Sequence, residues 1–474
     1  MAIALLTLVA RAAEYPHPET YCPTLGEFIA AKADFDDPRP YTKELGPKQV
    51  LPKELYAELS YDIEKMKSLW AQLLGFRAPD VVGKIHPEIK PGKYTYKDVQ
   101  NNPAFKELMH PVLYDRIKPG GPPHAGNIPE FELIPTRQFY WALPVAEATK
   151  RNLGKTKLDK DGFIILDTYE SGIPFPKPSG EFKAKQIFYS WEKRYVDYGG
   201  NFRHISRLWG FTKNVKMDMD MSNICPRLRF SGRVLMKPYG WYDQRAKEQG
   251  EYKQYVVTFT SPRDLAGTSQ MLLMYEDPDK ADMAMAYVPS LRRIRKLSAT
   301  DTQDPVAGMD VIWDDGEGFA QKVSRTRYPY KVELLEEREY LVPALSADGA
   351  EYQTSEETGV EFRNVRLERR PIYVLKMTQL DPNYVYSYRI VFIDQETFLQ
   401  YHIINYDQKG RLYRTSDTAF GWFPEMGMYA FGPGGLELYR DFVDLHSTTG
   451  FSITYPAYWS REDVSIKGLL RRGK

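Results

Sequence analysis

Cysteine is nearly missing from this chain: its 474 residues contain two, Cys22 and Cys225. No Cys-x-x-Cys pair occurs, so neither a cysteine zinc site nor a thioredoxin-like redox site is encoded. In an oxidising compartment the two could close a very long loop as a disulfide; two buried thiols fit the sequence equally well. An excess of one charge is missing too. Sixty-four basic residues face 63 acidic ones, a net charge of +1, without the basic surplus that a nucleic-acid partner selects. No apolar run reaches the ~20 residues of a membrane-spanning helix, so a soluble mature chain is expected.

Catalytic signatures are also lacking. There is no phosphate-binding loop, no Gly-x-Ser-x-Gly elbow, no His-Glu-x-x-His and no dinucleotide fingerprint. The histidines (His17, His86, His110, His124, His204, His402 and His446) are scattered, with no two at metal-ligand spacing. Asp218-Met-Asp220 offers two carboxylates that a hard cation accepts. Its strict alternation with Met217, Met219 and Met221 reads instead as the polar side of an amphipathic strand. Asp314-Asp315-Gly316-Glu317 lacks calcium-loop spacing and is expected to be a solvated loop. No catalytic residue, metal or cofactor is assigned, and a hydrolase of envelope lipids is the least supported class.

What the chain does have is aromatic and turn-forming residues. Aromatics make up 14%, with 34 tyrosines, and 34 prolines accompany 33 glycines. That balance favours β-structure over a helical bundle. Residues 1–13 resemble the end of a secretory signal peptide: a short apolar run, Ala2 to Ala10, precedes the small-x-small pattern Ala10-Arg-Ala-Ala13. A buried N-terminal strand is the alternative. Glu-Thr-Tyr before Cys22 is not a lipobox, so no lipid anchor is expected there.

Residues 14–180 read as a helical and irregular N-terminal region. Pro52 opens a helix in which Leu55, Leu59, Ile63, Met66, Leu69, Trp70 and Leu73 recur at helical intervals, and Gly75 ends it. A weaker helical pattern covers Lys97 to Met109. Residues 181–474 read as a β domain. Strands are expected at Gln186–Tyr198, Lys216–Met221, Gln254–Thr260, Ser269–Tyr275, Met283–Val288, Val332–Val342, Ile372–Leu380, Tyr386–Ile393, Phe398–Tyr406 and Leu412–Thr415. Sequential short strands separated by turns argue for an antiparallel meander that curls on itself.

The apolar faces of these strands carry the candidate site. Met217, Met219 and Met221; Tyr255, Val257 and Phe259; Met271 and Leu273; and Met283, Met285 and Tyr287 each line one side of a strand. Methionine adapts its shape, so a Met-rich wall suits acyl chains. An ordinary filled core gives the same pattern. Arg292, Arg293 and Arg295, with Lys296, could meet an anionic head group or a partner. They could equally be a solvated hairpin edge that resists aggregation.

Pro262-Arg-Asp-Leu-Ala-Gly-Thr268, Asp277-Pro278, Tyr287-Val-Pro-Ser-Leu-Arg-Arg-Ile-Arg295 and Gly308-Met-Asp310 resemble successive segments of the outer-membrane lipoprotein-sorting superfamily. Tyr388-Arg-Ile-Val-Phe-Ile-Asp394, Thr397-Phe398 and Tyr406-Asp-Gln-Lys-Gly-Arg-Leu412 continue the likeness. Gly172-Ile-Pro-Phe-Pro-Lys-Pro-Ser-Gly180 and Ser190-Trp-Glu-Lys-Arg-Tyr195 resemble a larger relative, the exported domain-of-unknown-function 1329 family. The resemblance runs in order from Gly172 to Leu412. It implies a mainly β (α+β) fold: an unclosed antiparallel β-barrel of the lipoprotein-localisation-factor kind, with helices covering its concave face around an apolar cavity. It also implies a non-enzymatic periplasmic carrier that moves a lipid or other hydrophobic molecule between inner and outer membrane. An inner-membrane exporter of the resistance-nodulation-division type and an outer-membrane protein are the implied partners. The chain is far longer than the small lipoprotein chaperone, and residues 14–170 have no counterpart there, so the expected cargo is not a lipoprotein. The alternative is a non-catalytic envelope assembly or docking factor whose barrel is filled.

Overall fold

The computed structural model describes residues 47–472, except 121–125, 298–302, 321, 346–360 and 432–435. The signal-like residues 1–13 and Cys22 lie outside the described residues, and the disulfide question goes with them. The first long apolar pattern forms two helices rather than one, Lys53–Glu58 and Ile63–Leu74. The break falls where the Asp62 side chain caps the second helix by accepting the Lys65 N–H. Gly75, at φ +86°, stops it in the left-handed region. The Lys97–Met109 pattern also divides, into Tyr96–Asn101 and Ala104–Leu108. Pro103 sits at that junction and has no N–H to continue the first helix.

Among the described residues seventeen strands follow in chain order. They are β1 Gly92–Thr95, β2 Glu130–Ile134, β3 Phe202–Phe211, β4 Met217–Arg229, β5 Glu251–Ser261 and β6 Ser269–Tyr275. Next come β7 Met283–Val288, β8 Arg293–Lys296, β9 Tyr330–Pro343, β10 Val365–Gln379, β11 Tyr388–Asp394 and β12 Gln400–Tyr406. The last are β13 Leu412–Ala419, β14 Gly421–Phe423, β15 Met428–Ala430, β16 Leu436–Asp441 and β17 His446–Pro456. One sheet runs β1-β2-β10-β11-β12-β13-β16-β17-β3-β4-β5-β6-β7-β8, with β9 pairing β10 and β14-β15 forming a separate ribbon. Within that large sheet every pairing is antiparallel except β2 with β10. Its ends do not pair with each other among the described residues, so this is the expected mainly β, unclosed barrel.

The N-terminal region belongs to the same body. β1 and β2 lie in the sheet, and Trp70 and Trp141 pack in one core with Tyr373, Val391 and Ile403 of the strands. Trp70, Trp141 and Trp191 each donate an indole N–H to the β11–β12 connection or the start of β12. Their acceptors are the Glu396 carbonyl at 2.8 Å, the Thr397 carbonyl at 3.1 Å and Gln400 Oε1 at 3.0 Å. A buried indole needs such an acceptor, so these three bonds fix the helix Ile63–Leu74, the segment before Leu143 and the helix Lys183–Glu192 on the strands. One expected strand is a helix: residues Lys183–Glu192, within the segment read as β, bury Ile187, Phe188 and Trp191 at helical spacing. Its aromatic content imitated β-propensity.

Candidate ligand-binding face

Cross-strand partners share a face of the sheet, and neighbours along a strand do not. The register therefore sorts the candidate wall. Met221 pairs Leu208, Phe259 pairs Asn223, and Tyr255 pairs Arg227 and Leu272. These residues, with Met219 and Val257, share one face. Met271 pairs Val256 and Met285, Leu273 pairs Gln254 and Met283, and Tyr287 pairs Ser269. They lie on the opposite face. Met217, at the start of β4, is exposed. The other ten residues thus form two walls, one on each side of a single sheet.

Each wall has its own cover. On the Tyr255 face, Leu208, Met221, Phe259 and Tyr439 pack against Val306, Met309 and Val311. Beside them Cys225, Tyr252, Tyr255 and Met274 are buried, with Val257, Leu272 and Trp313 against them. On the Met271 face, Val256, Met271 and Tyr287 meet Met283, Met285, Ile466 and Leu470, the last two from the C-terminal helix Ile466–Arg472. Leu228, Phe230 and Leu273 pack there with Ala457, Trp459 and Val464.

The segment over the Tyr255 face, residues 305–318, is held by polar contacts. Asp310 accepts the Thr448 hydroxyl at 2.8 Å and pairs with His446 Nδ1 at 2.6 Å. Asp314 accepts the Tyr384 hydroxyl at 2.9 Å and Asp315 the Tyr386 hydroxyl at 2.8 Å. The expected solvated loop at Asp314-Asp315 is corrected: both carboxylates are buried, and each has a tyrosine partner in the β10–β11 connection. Asp218 and Asp220 also have side-chain partners. Asp220 grips Arg207 through two bonds of 2.7 and 2.6 Å, and Asp218 lies 3.0 Å from His446 Nε2. His446 sits between two carboxylates. Its bond to Asp310, with the charges of both aspartates, lifts it to about 9 against partial burial.

Arg292, Arg293 and Arg295 are exposed, the last two on edge strand β8. Arg295 pairs Ala286, which pairs Gln270, which pairs Val257. Arg295 and its neighbour-but-one Arg293 thus lie on the Tyr255 face, at its margin.

Between the helix Lys183–Glu192 and strands β5 and β6 there is a small cavity lined by Trp191, Lys193, Arg194, Tyr252, Lys253 and Lys322, among others. About 30 Å³ of it is free, room for about two waters.

The sequence also hid a buried trio of His110, His402 and Asp417, whose ligating atoms lie within 4.8 Å of one another. His402 Nδ1 is 2.6 Å from Asp417 Oδ1, and Arg116 donates to Asp417 Oδ2 at 2.7 Å. Both aspartate oxygens are thus engaged, and the Arg116 and Arg440 charges oppose a further cation. His110 caps the helix Pro111–Arg116 by accepting the Leu113 N–H. The trio has the chemistry of an anchor that ties this helix to β12 and β13. A catalytic dyad needs contact with substrate, and both rings are buried.

A family model described as "Protein of unknown function (DUF1329)" matches residues 112–450. The chain belongs to that family. The chain is similar to the uncharacterized protein PA3922 of Pseudomonas aeruginosa. It is 24% identical over 315 residues, which is 64% of this chain and 66% of that protein, just under two thirds of its length. Among solved structures, a DUF1329 family protein from Desulfovibrio piger aligns with 14% identity and a TM-score of 0.39, over 57% of this chain and 92% of that one. A LolA superfamily protein from Nitrosomonas europaea aligns with 14% identity and a TM-score of 0.36, over 60% and 98%. No helix among the described residues is long and apolar enough to cross a membrane.

Proposed function

We propose that this DUF1329 protein is a periplasmic, non-enzymatic carrier that binds a lipid or other hydrophobic molecule and moves it between the inner and outer membranes. The observation that carries this reading is the Tyr255 face. Its apolar side chains are covered over Val306–Trp313 by a segment outside the large sheet, held by side-chain bonds rather than by ladder pairing. Such a cover can exchange for a ligand without unmaking the sheet. Transfer of apolar ligand surface from water supplies about 25 cal/mol per Å². An inner-membrane exporter and an outer-membrane acceptor are the partners such a carrier needs at its two ends.

Two measurements test it. Protein purified without detergent is expected to carry lipid detectable by mass spectrometry after extraction. It is also expected to bind a neutral hydrophobic dye such as Nile red, and release it when lipid is added. Absence of both lipid and dye displacement would sink the carrier reading. The second reading, an assembly or docking factor on the same fold, is favoured by one observation: Met219, Met283 and Met285 already pack against neighbouring side chains.

A further inference from the structure

The large sheet ends at β8, which pairs β7 on one side and no strand on the other among the described residues. All four of its residues, Arg293 to Lys296, are exposed. Which of its backbone groups stay unpaired follows from the ladder. Leu297 donates its N–H to the Ala284 carbonyl, and along an antiparallel pair hydrogen-bonded residues alternate with non-bonded ones. Arg295 and Arg293 therefore turn their backbone groups toward β7. Ile294 and Lys296 turn theirs outward, two N–H and two C=O groups open to a further strand.

The side chains make this edge selective. Arg293 and Arg295 lie on the Tyr255 face, and strands β6, β7 and β8 contain no acidic residue to match them. On the other face Ile294 pairs Tyr287, which is buried with Val256 and Met271. Ile294 itself is exposed, as is Leu291 in the turn before β8. An apolar wall thus runs out to the edge on one face while cations line the other. Charge alone would serve to keep other strands away. Ile294 instead prolongs the buried wall and gains from a neighbour that covers it. A second copy of β8 would set arginine against arginine, which is unfavourable across a ladder.

We propose that β8 is a docking edge for a partner protein, which adds to it an extended segment of alternating acidic and apolar residues. Two acids of that segment lie across from Arg293 and Arg295, and the apolar residue between them covers Ile294. Backbone bonds to Ile294 and Lys296 supply affinity, and the period-2 pattern of side chains supplies specificity. The inference is independent of the carrier reading. Such an edge serves a carrier that meets its acceptor as well as it serves an assembly factor.

The experiment offers the full chain fluorescein-labelled octapeptides at low salt and reads binding by fluorescence anisotropy. The first peptide alternates glutamate with valine, and the second has lysine in place of glutamate. The third carries the glutamates and valines of the first in two blocks. The alternating acidic peptide is expected to bind about tenfold more tightly than either of the others, the effect of two cross-strand charge pairs and one apolar contact. In the triple variant Arg292→Gln/Arg293→Gln/Arg295→Gln that margin should shrink to within about twofold. Hydrogen exchange at the Ile294 and Lys296 amides should slow when the peptide is added to the unaltered protein. Equal binding of acidic and lysine peptides, equal binding of alternating and block peptides, or no binding overturns the docking edge. Unchanged exchange at both amides overturns it as well. Sedimentation of the protein alone covers the remaining occupant: a dimer that the triple variant lacks assigns the edge to a second copy and overturns the partner. The peptide comparison and the exchange measurement use the unaltered protein, so they decide the matter even if the variant fails to fold.

Discussion

Arg370 and Lys253 are cations set into the same sheet, and they differ in the supply of carboxylates around them. Arg370 donates to Asp394 at 2.7 Å and Glu396 at 2.7 Å, lies 3.3 Å from Glu368, and also donates to the Arg137 carbonyl at 2.6 Å. The acids are satisfied in turn. Glu396 accepts the backbone N–H groups of Ala78 and Phe139, and Asp394 accepts those of Glu396 and Thr397. Burial works against the charge on Arg370, and Asp394, Glu396, Tyr401 and Glu368 overcome it. Lys253 has the reverse surroundings, with Arg227, Arg194 and Arg229 pressing on it and Glu192 opposing them. A matched buried charge is architecture: it joins the N-terminal segment to β10 and the β11–β12 turn. At Lys253 like charges set the balance instead, so its ammonium adds little to that architecture.

The largest expected effect breaks the matched centre. Arg370→Met removes the guanidinium and leaves three buried carboxylates without it, a loss of about 3–5 kcal/mol. It is read as a fall in the unfolding midpoint in urea. A loss below about 1 kcal/mol would show that the carboxylates protonate or hydrate freely, and the contrast with Lys253 would collapse.

Next in size is the latch of the covering segment. His446 is lifted to about 9 by Asp310 and Asp218, against an unfolded value near 6.5. A raised folded value contributes stability that is complete below about pH 6.5 and is lost as pH rises through about 9. The expected contribution is on the order of 2 kcal/mol after screening at a partly exposed site. Urea titrations at pH 6 and pH 10 measure it, and His446→Gln should flatten the difference. The same stability profile in both proteins would remove the latch from the account.

Smaller still is Lys253→Met alone. Taking one cation from among four is expected to leave the unfolding midpoint within about 0.5 kcal/mol of the parent, or to raise it, since the methionine keeps the packing stem. A fall of Arg370→Met size would mean that Lys253 ties the fold together as Arg370 does, and the two centres would be of one kind.

How far the sequence could show any of this depends on what each feature encodes. β5, β6, β7 and β9 to β13 were legible because alternating or continuous apolar runs end at turn residues. β3, β16 and β17 were not. β17 buries Ser447, Thr448, Thr449, Ser452 and Thr454, so burial there leaves no hydrophobic pattern to read. The candidate wall was legible strand by strand but not as a surface. Period 2 identifies the two sides of one strand, whereas register decides which side of the next strand joins it, and a one-residue shift reverses the answer. That is why Tyr255 and Met271 fell on opposite faces. The trio of His110, His402 and Asp417 left no trace, because its members come from separate elements that only the fold brings together.

The smallest expected effect concerns the edge arginines. Arg292, Arg293 and Arg295 are all exposed, so their triple substitution by glutamine should change stability by no more than about 0.5 kcal/mol. Their position still separates two roles. Arg293 and Arg295 face the Tyr255 side of the sheet through the row that runs to Val257, so a head group or partner approaching that face meets them. A solvated edge instead protects β8 from pairing with another chain. Transfer of a fluorescent acidic lipid to acceptor vesicles, measured at low and high salt, tells the roles apart. If the arginines guide a ligand or partner, the triple variant transfers more slowly and loses the salt dependence, because long-range attraction is screened by salt. If they protect the edge, transfer is unchanged and the variant self-associates as its concentration rises. The contrast between Arg370 and Lys253 then gains a third case, a charge that works from the surface with no buried counter-ion to satisfy.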